Sequence, residues 1–150
     1  MEPRISLITL GVEDLERAVA FYEKMGLIRH KRFTEGVAFF QLGGLILSLW
    51  PREALAEDAG LDQGFAAYQS ASSNAPFSGV ALAYNTRDVA EVADVLNRAD
   101  GAGGRVVRPT RRAEWGGTQG YFFDTENNLW EVAYNPDFSI DAEGRITLPD

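Results

Sequence analysis

Two stretches of the sequence repeat one order of secondary-structure signals, and this duplication constrains the fold more than any other feature. Residues 5–51 and 79–136 each begin with a short apolar run followed by a polar cluster. Each stretch continues with apolar residues spaced three and four apart, which is typical of an amphipathic helix, and then with three strand-like runs. The sequence therefore predicts an α+β fold of two tandem βαβββ modules.

The two predicted helices have matching start and stop signals. Their apolar stripes are Leu15, Ala18, Val19, Tyr22 and Met25 in module one, and Val89, Val92, Ala93 and Leu96 in module two. Asp14 and Asp88 stand where a carboxylate can cap the free N–H groups of the first turn. Gly26 and Gly101 stand where each helix is expected to stop.

The predicted strands follow from short apolar runs bounded by glycine, proline and polar residues. In module one they are Ile5–Val12, Leu27–Phe33, Val37–Leu42 and Leu45–Trp50, and in module two Val80–Asn85, Gly104–Val107, Gly120–Asp124 and Leu129–Tyr134. The tripeptides Phe39–Gln41 and Phe122–Asp124 occupy matching places. So do the closing prolines Pro51 and Pro136, which cannot continue a ladder.

The rest of the chain completes a single domain over residues 1–150. Residues 52–78 join the modules and are rich in alanine, serine, glycine and aspartate, with a short helix expected at Arg52–Asp58. The remainder of this segment is either a mobile lid or a linker, and we favour the linker. In the tail, residues 137–150, Asp141–Gly144 is expected to form a turn between two short extended runs.

Composition excludes several classes of function. The chain has no cysteine, which removes disulfides and thiolate metal sites and fits a reducing compartment. Its formal net charge of −8 disfavours nucleic acid as a partner. That charge is compatible with a cationic ligand, or with solubility alone. No apolar run is long enough for a membrane span, and the start lacks signal-peptide features, so a cytoplasmic location is expected.

Several short motifs carry a family resemblance over residues 5–136. Val12–Arg17, Phe21–Tyr22 and Gly26–Leu27 in module one, and Trp115–Gly117, Gly120–Asp124 and Asn128–Ala133 in module two, resemble the glyoxalase/bleomycin-resistance/extradiol-dioxygenase (vicinal oxygen chelate) superfamily. The resemblance implies a curved, barrel-like mixed sheet around a small-molecule cleft, and a homodimer. It does not fix the function, because this fold hosts lyases, epimerases, dioxygenases and binding proteins.

The resemblance also implies four positions for the ligands of a divalent metal. Here they correspond to Leu7, a residue at or next to Ala81, Ile46 and Glu131, the last two paired by counting back from the closing prolines. Only Glu131 can donate to a hard cation, whereas catalytic sites usually supply about three protein ligands. The single histidine, His30, lies at none of these positions. We therefore expect neither a metal nor another cofactor, unless Gln41, Asp124 or a dimer partner contributes.

Glu131 is the candidate catalytic residue. It interrupts the apolar run Leu129–Tyr134, and an apolar setting disfavours a charged carboxylate. Such a carboxylate can act as a general base or acid next to a carbonyl. Strand alternation alone leaves open whether Glu131 faces the cleft or the solvent.

The candidate ligand-binding residues are aromatic or basic. Trp50, Tyr121 and Trp130 are suited to line a pocket, but for each of them we favour a role as an ordinary core residue. A core role is less obvious for Trp115, which lies in a predicted loop. Arg108, Arg111 and Arg112 could clamp a substrate carboxylate, or could instead pair with nearby acids in a solvated loop.

Three functions are compatible with these residues. The first is a metal-independent small-molecule-binding protein of the bleomycin-resistance type. The second is a metal-free lyase or isomerase that uses Glu131 as its base. The third, a metal-dependent lyase or dioxygenase, is disfavoured by the aliphatic residues at the ligand positions.

Overall fold

The computed structural model describes residues 4–32, 34–61 and 78–149. The chain divides into two compact units, unit one (Met1–Gly79) and unit two (Val80–Asp150). Unit one contains β1 (Leu7–Val12), α1 (Leu15–Lys24), β2 (Ala38–Leu42), β3 (Leu45–Pro51) and α2 (Arg52–Asp58). Unit two contains β4 (Ala81–Asn85), α3 (Val89–Ala102), β5 (Arg105–Arg112), β6 (Thr118–Phe123), β7 (Leu129–Tyr134), β8 (Ser139–Ile140) and β9 (Ile146–Thr147).

The sheets of the two units share one strand pattern. In unit one the order is β1-β3-β2, with β1 parallel and β2 antiparallel to β3. In unit two it is β4-β7-β6-β5, with β4 parallel to β7 and the other pairs antiparallel. The predicted α+β fold of two βαβββ-like modules is confirmed, and strand pairing within the described residues forms separate mixed sheets without a closed barrel.

Each unit packs its long helix on one face of its own sheet. In unit one, Phe21 and Tyr22 of α1 are buried, and the Tyr22 and Phe40 rings lie 5.9 Å apart. In unit two, Val92 and Leu96 of α3 are fully buried and so is Val132 of β7. Burial of side chains of this size is the main favourable contribution to folding, about 1.5–3 kcal/mol each.

The helix starts were predicted correctly. The Asp14 side chain accepts a hydrogen bond from the Arg17 N–H at 3.0 Å, and the Asp88 side chain accepts one from the Ala90 N–H at 2.7 Å. The end of α3 was placed too early, at Gly101. The helix continues to bury Ala102 and stops at Gly103, whose φ of 107° is the left-handed conformation that favours glycine.

The predicted strand Leu27–Phe33 is wrong. Its described residues form only an isolated bridge between Arg29 and Phe40. The Arg29 guanidinium instead donates to the carbonyls of Thr34 and Val37, at 3.2 and 3.3 Å, so the chain folds back as a loop. Ile28 is 81% exposed there and gains nothing from strand pairing.

Other boundaries differ by smaller amounts. The predicted strand Gly104–Val107 extends to Arg112, because an edge strand tolerates the missing N–H of Pro109. The short helix Arg52–Asp58 and the turn at Asp141–Gly144, between β8 and β9, are confirmed. Most of the segment interpreted as a linker, residues 62–77, lies outside the described residues, as does Phe33. None of the described helices has the length and hydropathy that a membrane span requires.

Candidate functional site

Glu131 lies in the middle of the sheet of unit two. The register places it between Ala83 of β4 and Tyr121 of β6. Its neighbours Trp130 and Val132 point to the α3 side, and the Trp130 and Phe122 rings are stacked there. Glu131 is therefore half-buried on the opposite side, which we call the Glu131 face (Ala83, Gln119, Tyr121, Glu131 and Ala133).

Tyr121 and Glu131 form a hydrogen-bonded pair on this face. The Tyr121 hydroxyl donates to Glu131 Oε1 at 2.8 Å. The pKa of the Tyr121 phenol is raised above its ordinary value, and burial is the largest cause. The hydrogen bond with Glu131 and its negative charge raise this pKa further, whereas the positive charges of Arg108 and Arg111 lower it. Tyr121 therefore keeps its proton, and as a hydrogen-bond donor it fixes the orientation of the carboxylate.

Three arginines of β5 lie on the same face because the strand register shifts twice. Arg105, Arg108 and Arg111 would alternate between faces in a regular strand. The register shifts between Val106 and Arg108 and again between Arg108 and Arg111, and each shift adds one residue to β5. As a result the three arginines pair with Phe123, Tyr121 and Gln119, all on the Glu131 side. Irregularities of this kind commonly redirect side chains near functional sites.

Gly120 makes this irregular pairing possible. A Cβ at Gly120 would overlap the Leu96 side chain of α3 and would lie 2.9 Å from the Arg108 carbonyl oxygen and 3.3 Å from the Thr110 nitrogen. The bulged backbone of β5 therefore passes directly over this glycine. Gly120 supports the arrangement of the arginines through the backbone and has no side chain on the face itself.

Trp115 lies in the loop between β5 and β6. A Cβ at Gly117 would overlap the Trp115 ring and the Tyr134 carbonyl, so the indole rests directly on this glycine. Gly117 directly precedes Thr118, the first residue of β6, so the ring lies at this end of the strand. Trp115 is 47% exposed and offers a flat apolar surface.

The turn between β6 and β7 fixes the register of the Tyr121–Glu131 pair. The Asp124 carboxylate is 4% exposed and accepts hydrogen bonds from the Glu126 N–H, the Asn128 N–H and Asn128 Nδ2, each at 2.8 Å. Asn127 adopts a φ of 61° between these donors. Asp124 is therefore committed to the turn and is a positioning residue rather than a metal ligand.

The structure places the remaining predicted residues elsewhere. Arg112 pairs with Thr118, on the side of the sheet opposite Glu131. Trp50 belongs to unit one, where it pairs with Gly11 at the end of β3. His30 lines an open groove of about 630 Å³ in unit one, formed by residues 26–31 and Gln41.

The register revises the pairing of ligand positions between the modules. Counting from the capping residues Asp14 and Asp88 matches Leu7 with Ala81, as predicted. It matches Glu131 with Ser48, however, and not with Ile46. The proline count fails because Pro51 is still paired in β3, whereas Pro136 lies two residues beyond β7.

These residues do not fit a divalent metal. The four positions become Leu7, Ser48, Ala81 and Glu131, and only Glu131 offers a carboxylate. Its Oε1 already accepts the Tyr121 hydroxyl. Among the described residues no three histidine, cysteine, aspartate or glutamate side chains lie close enough together to hold a metal ion.

Comparison with known proteins identifies the family. The model of the Glyoxalase/Bleomycin resistance protein/Dioxygenase superfamily matches residues 4–132. The chain belongs to this superfamily. It is similar to a glyoxalase-related enzyme from Fulvimarina pelagi, with 33% identity, 99% coverage of both chains and a TM-score of 0.86. No curated protein matches this superfamily member.

More distant solved structures share the fold of this superfamily member. A glyoxalase/bleomycin resistance protein/dioxygenase from Nocardioides is 24% identical, with a TM-score of 0.69 over 89% of this chain and 84% of that chain. The fosfomycin resistance protein FosX from Mesorhizobium loti is 20% identical, with a TM-score of 0.61 over 90% of this chain and 93% of that chain.

Proposed function

We propose that this superfamily member binds a small organic molecule on the Glu131 face and that it does so without a divalent metal. The observation that carries the proposal is the 2.8 Å hydrogen bond from Tyr121 to Glu131. It fixes a half-buried carboxylate in the middle of a sheet whose edge strand, β5, carries Arg108 and Arg111 on the same face. A few oriented polar groups among flat apolar surfaces are typical of small-molecule sites.

A thermal-shift screen against metabolites and antibiotics tests the binding itself, because a ligand stabilises the state to which it binds. Compounds that raise the Tm of the wild-type protein should raise it less in Tyr121→Phe and Trp115→Ala. They should raise it equally in Glu143→Gln, a control in the exposed turn of the tail. A screen in which no compound distinguishes Tyr121→Phe from the control contradicts the proposed site.

The metal content of the protein tests the proposal that binding requires no divalent metal. Elemental analysis of the purified protein should find no stoichiometric divalent metal, and adding Zn²⁺ or Mn²⁺ should leave the Tm unchanged. One bound metal ion per chain that is lost in Glu131→Gln would contradict this part of the proposal.

The alternative function is a metal-free lyase or isomerase in which Glu131 is the general base. Two observations favour it: the carboxylate is oriented by a tyrosine, and the 33%-identical protein from Fulvimarina pelagi is described as an enzyme. Glu131→Gln separates the two functions once a ligand is known. A binding protein should largely retain its affinity in this variant, whereas an enzyme should lose turnover and still bind.

We also propose a homodimer. In unit one β2 lies at the edge of its sheet, and no further named strand of the described residues pairs with its outer side, which carries the Arg29–Phe40 bridge and a hydrogen bond from the His30 N–H to the Phe39 carbonyl at 2.8 Å. An open edge of this kind is available for pairing with another chain. Light scattering coupled to size exclusion should give twice the mass of the 16.5 kDa chain, and the mass of one chain would contradict the dimer.

A further inference from the structure

We propose that the molecule bound on the Glu131 face is an anion, whose carboxylate, phosphonate or phosphate oxygens bind Arg108 and Arg111. This inference rests on the proposed function of the same face and adds the charge of the ligand. The net charge of the chain, −8, instead favours a cationic ligand, so the inference of an anionic ligand is opposite to the expectation from composition.

The aromatic residues of β6 support the arginine side chains. The Arg105 guanidinium lies over the Phe123 ring, 4.8 Å from its centroid, and the Arg108 guanidinium lies 6.0 Å from the centroid of Tyr121. A guanidinium that is stacked by its flat face still directs its N–H groups outward in its own plane. Those N–H groups match the paired oxygens of a carboxylate or phosphate.

The arginines of β5 differ from other arginines of the chain in their partners. Arg29 pairs with Glu16 at 3.4 Å, and Arg145 pairs with Asp141 at 2.8 Å. Within residues 4–32, 34–61 and 78–149, neither Arg108 nor Arg111 has an acidic partner or a hydrogen-bond acceptor. For Arg108 and Arg111 the structure therefore does not support the alternative of pairing with acids in a loop, since both lie in β5 and their donors remain available to a ligand.

Local charge governs binding at such short range. The screening length at physiological ionic strength is about 8 Å, so the net charge of the whole chain acts weakly at a given site. Arg108 pairs with Tyr121 in the register and Arg111 pairs with the next residue of the same face, Gln119, so both cations lie on the side of the sheet that carries Tyr121. Glu131 repels an anion from its own side of Tyr121, so the oxyanion is expected on the β5 side.

Four benzene derivatives that differ in charge test the inference. Benzoate and phenylphosphonate are anions, benzamide is neutral and benzamidine is a cation, while the ring is the same. Each is titrated into the isotopically labelled full chain, and the backbone amides and arginine Nε–H groups are followed by NMR. Comparing benzoate with phenylphosphonate shows which oxyanion geometry the site prefers.

Matched arginine variants locate the interaction. Arg108→Gln and Arg111→Gln should each weaken binding of the preferred anion about tenfold, as expected for the loss of a charge-assisted hydrogen bond. Arg112→Gln is the control, since it removes the same charge from the same strand on the opposite face. The amide spectrum of each variant shows whether it has folded.

The results separate the inference from the proposed function. Tighter binding of an anion than of benzamide, weakened by Arg108→Gln or Arg111→Gln and not by Arg112→Gln, supports the inference. Binding of benzamide or benzamidine on the Glu131 face that is tighter than that of either anion overturns the inference and leaves the proposed function standing. Equal loss of anion binding in all three variants also overturns it. If no derivative shifts any resonance of this face, both are contradicted.

Discussion

The two units share a strand order, but they carry different side chains at corresponding positions across three neighbouring strands, which we call a row. In unit one the row across β1, β3 and β2 is Thr9, Ser48 and Phe39. The corresponding row across β4, β7 and β6 of unit two is Ala83, Glu131 and Tyr121. The duplicated strand order therefore determines where side chains stand, while single substitutions determine whether they can bind or transfer a proton.

The hairpins next to these rows differ in the same way. In unit one, Gly43 and Gly44 make a tight turn, and Gln41 Nε2 donates to the Gly43 and Leu45 carbonyls at 2.6 and 3.2 Å. In unit two a longer turn is organised by the buried Asp124. The hairpin that carries the candidate site therefore depends on one buried charge, and the other hairpin does not.

The largest difference between the units is expected from removing the turn residues. Asp124→Ala leaves the buried N–H groups of Glu126 and Asn128 without an acceptor and should lower the free energy of unfolding by about 3 kcal/mol. Gln41→Ala, in the exposed turn of unit one, should lower it by less than about 1 kcal/mol. Urea unfolding measures both, and equal losses would contradict the comparison.

A second difference concerns the glycine beneath the bulge. Gly120→Ala should destabilise the protein by about 2 kcal/mol, because the new methyl group meets the Arg108 carbonyl and the Leu96 side chain. Gly44→Ala is the control in unit one, since its Cβ would meet nothing within 4 Å. If urea unfolding gives both variants the wild-type stability, the packing described around Gly120 is wrong.

Sequence alone predicts most of the elements and the helix caps, because these follow from local signals such as Asp14 and Asp88. It wrongly adds the strand Leu27–Phe33, whose described residues form a loop with one isolated bridge. It does not predict that Arg108 shares a face with Arg111, since this depends on Gly120 packing against a helix far along the chain. It also misses Arg105, although arginines spaced three apart around Pro109 in an edge strand are a signal for an irregular strand. Counting back from the prolines matches Glu131 with Ile46, whereas the strand register matches it with Ser48. The count fails because β3 includes its closing proline, Pro51, while β7 ends two residues before Pro136.

A smaller loss of stability is expected when Tyr121, in the row of unit two, is replaced by phenylalanine, the residue at the corresponding position of unit one. The register matches Phe39 with Tyr121, and not with Phe122 as the sequence predicted. Tyr121→Phe therefore introduces the residue that unit one has at this position, and it removes the hydrogen bond to Glu131. The free energy of unfolding should fall by about 1 kcal/mol. Tyr84→Phe, a half-exposed tyrosine on the same sheet, should change it by less than about 0.5 kcal/mol. Equal effects in urea unfolding would show that the Tyr121–Glu131 hydrogen bond contributes nothing.

The smallest effect is on the titration of Tyr121. Its pKa is raised above the ordinary value of 10.0, so the stability that it contributes is fully present below pH 10.0 and is lost as the pH rises through the raised pKa. Glu131→Gln removes the negative charge, and the pKa of Tyr121 should fall. The phenolate absorbance that disappears in Tyr121→Phe identifies this residue, and Glu143→Gln is the control. An unchanged titration in Glu131→Gln would contradict the coupling.

The most direct test of the account is a benzoate titration of metal-stripped protein, followed through the backbone amides of both sheets. If the Glu131 face binds an anion without a metal, saturable shifts are expected on β5, β6 and β7 around Arg108, Tyr121 and Glu131, with the same affinity whether or not a chelator is present. The row of Thr9, Ser48 and Phe39 should not respond. Shifts that require added Zn²⁺ or Mn²⁺, or that centre on the sheet of unit one, would contradict it.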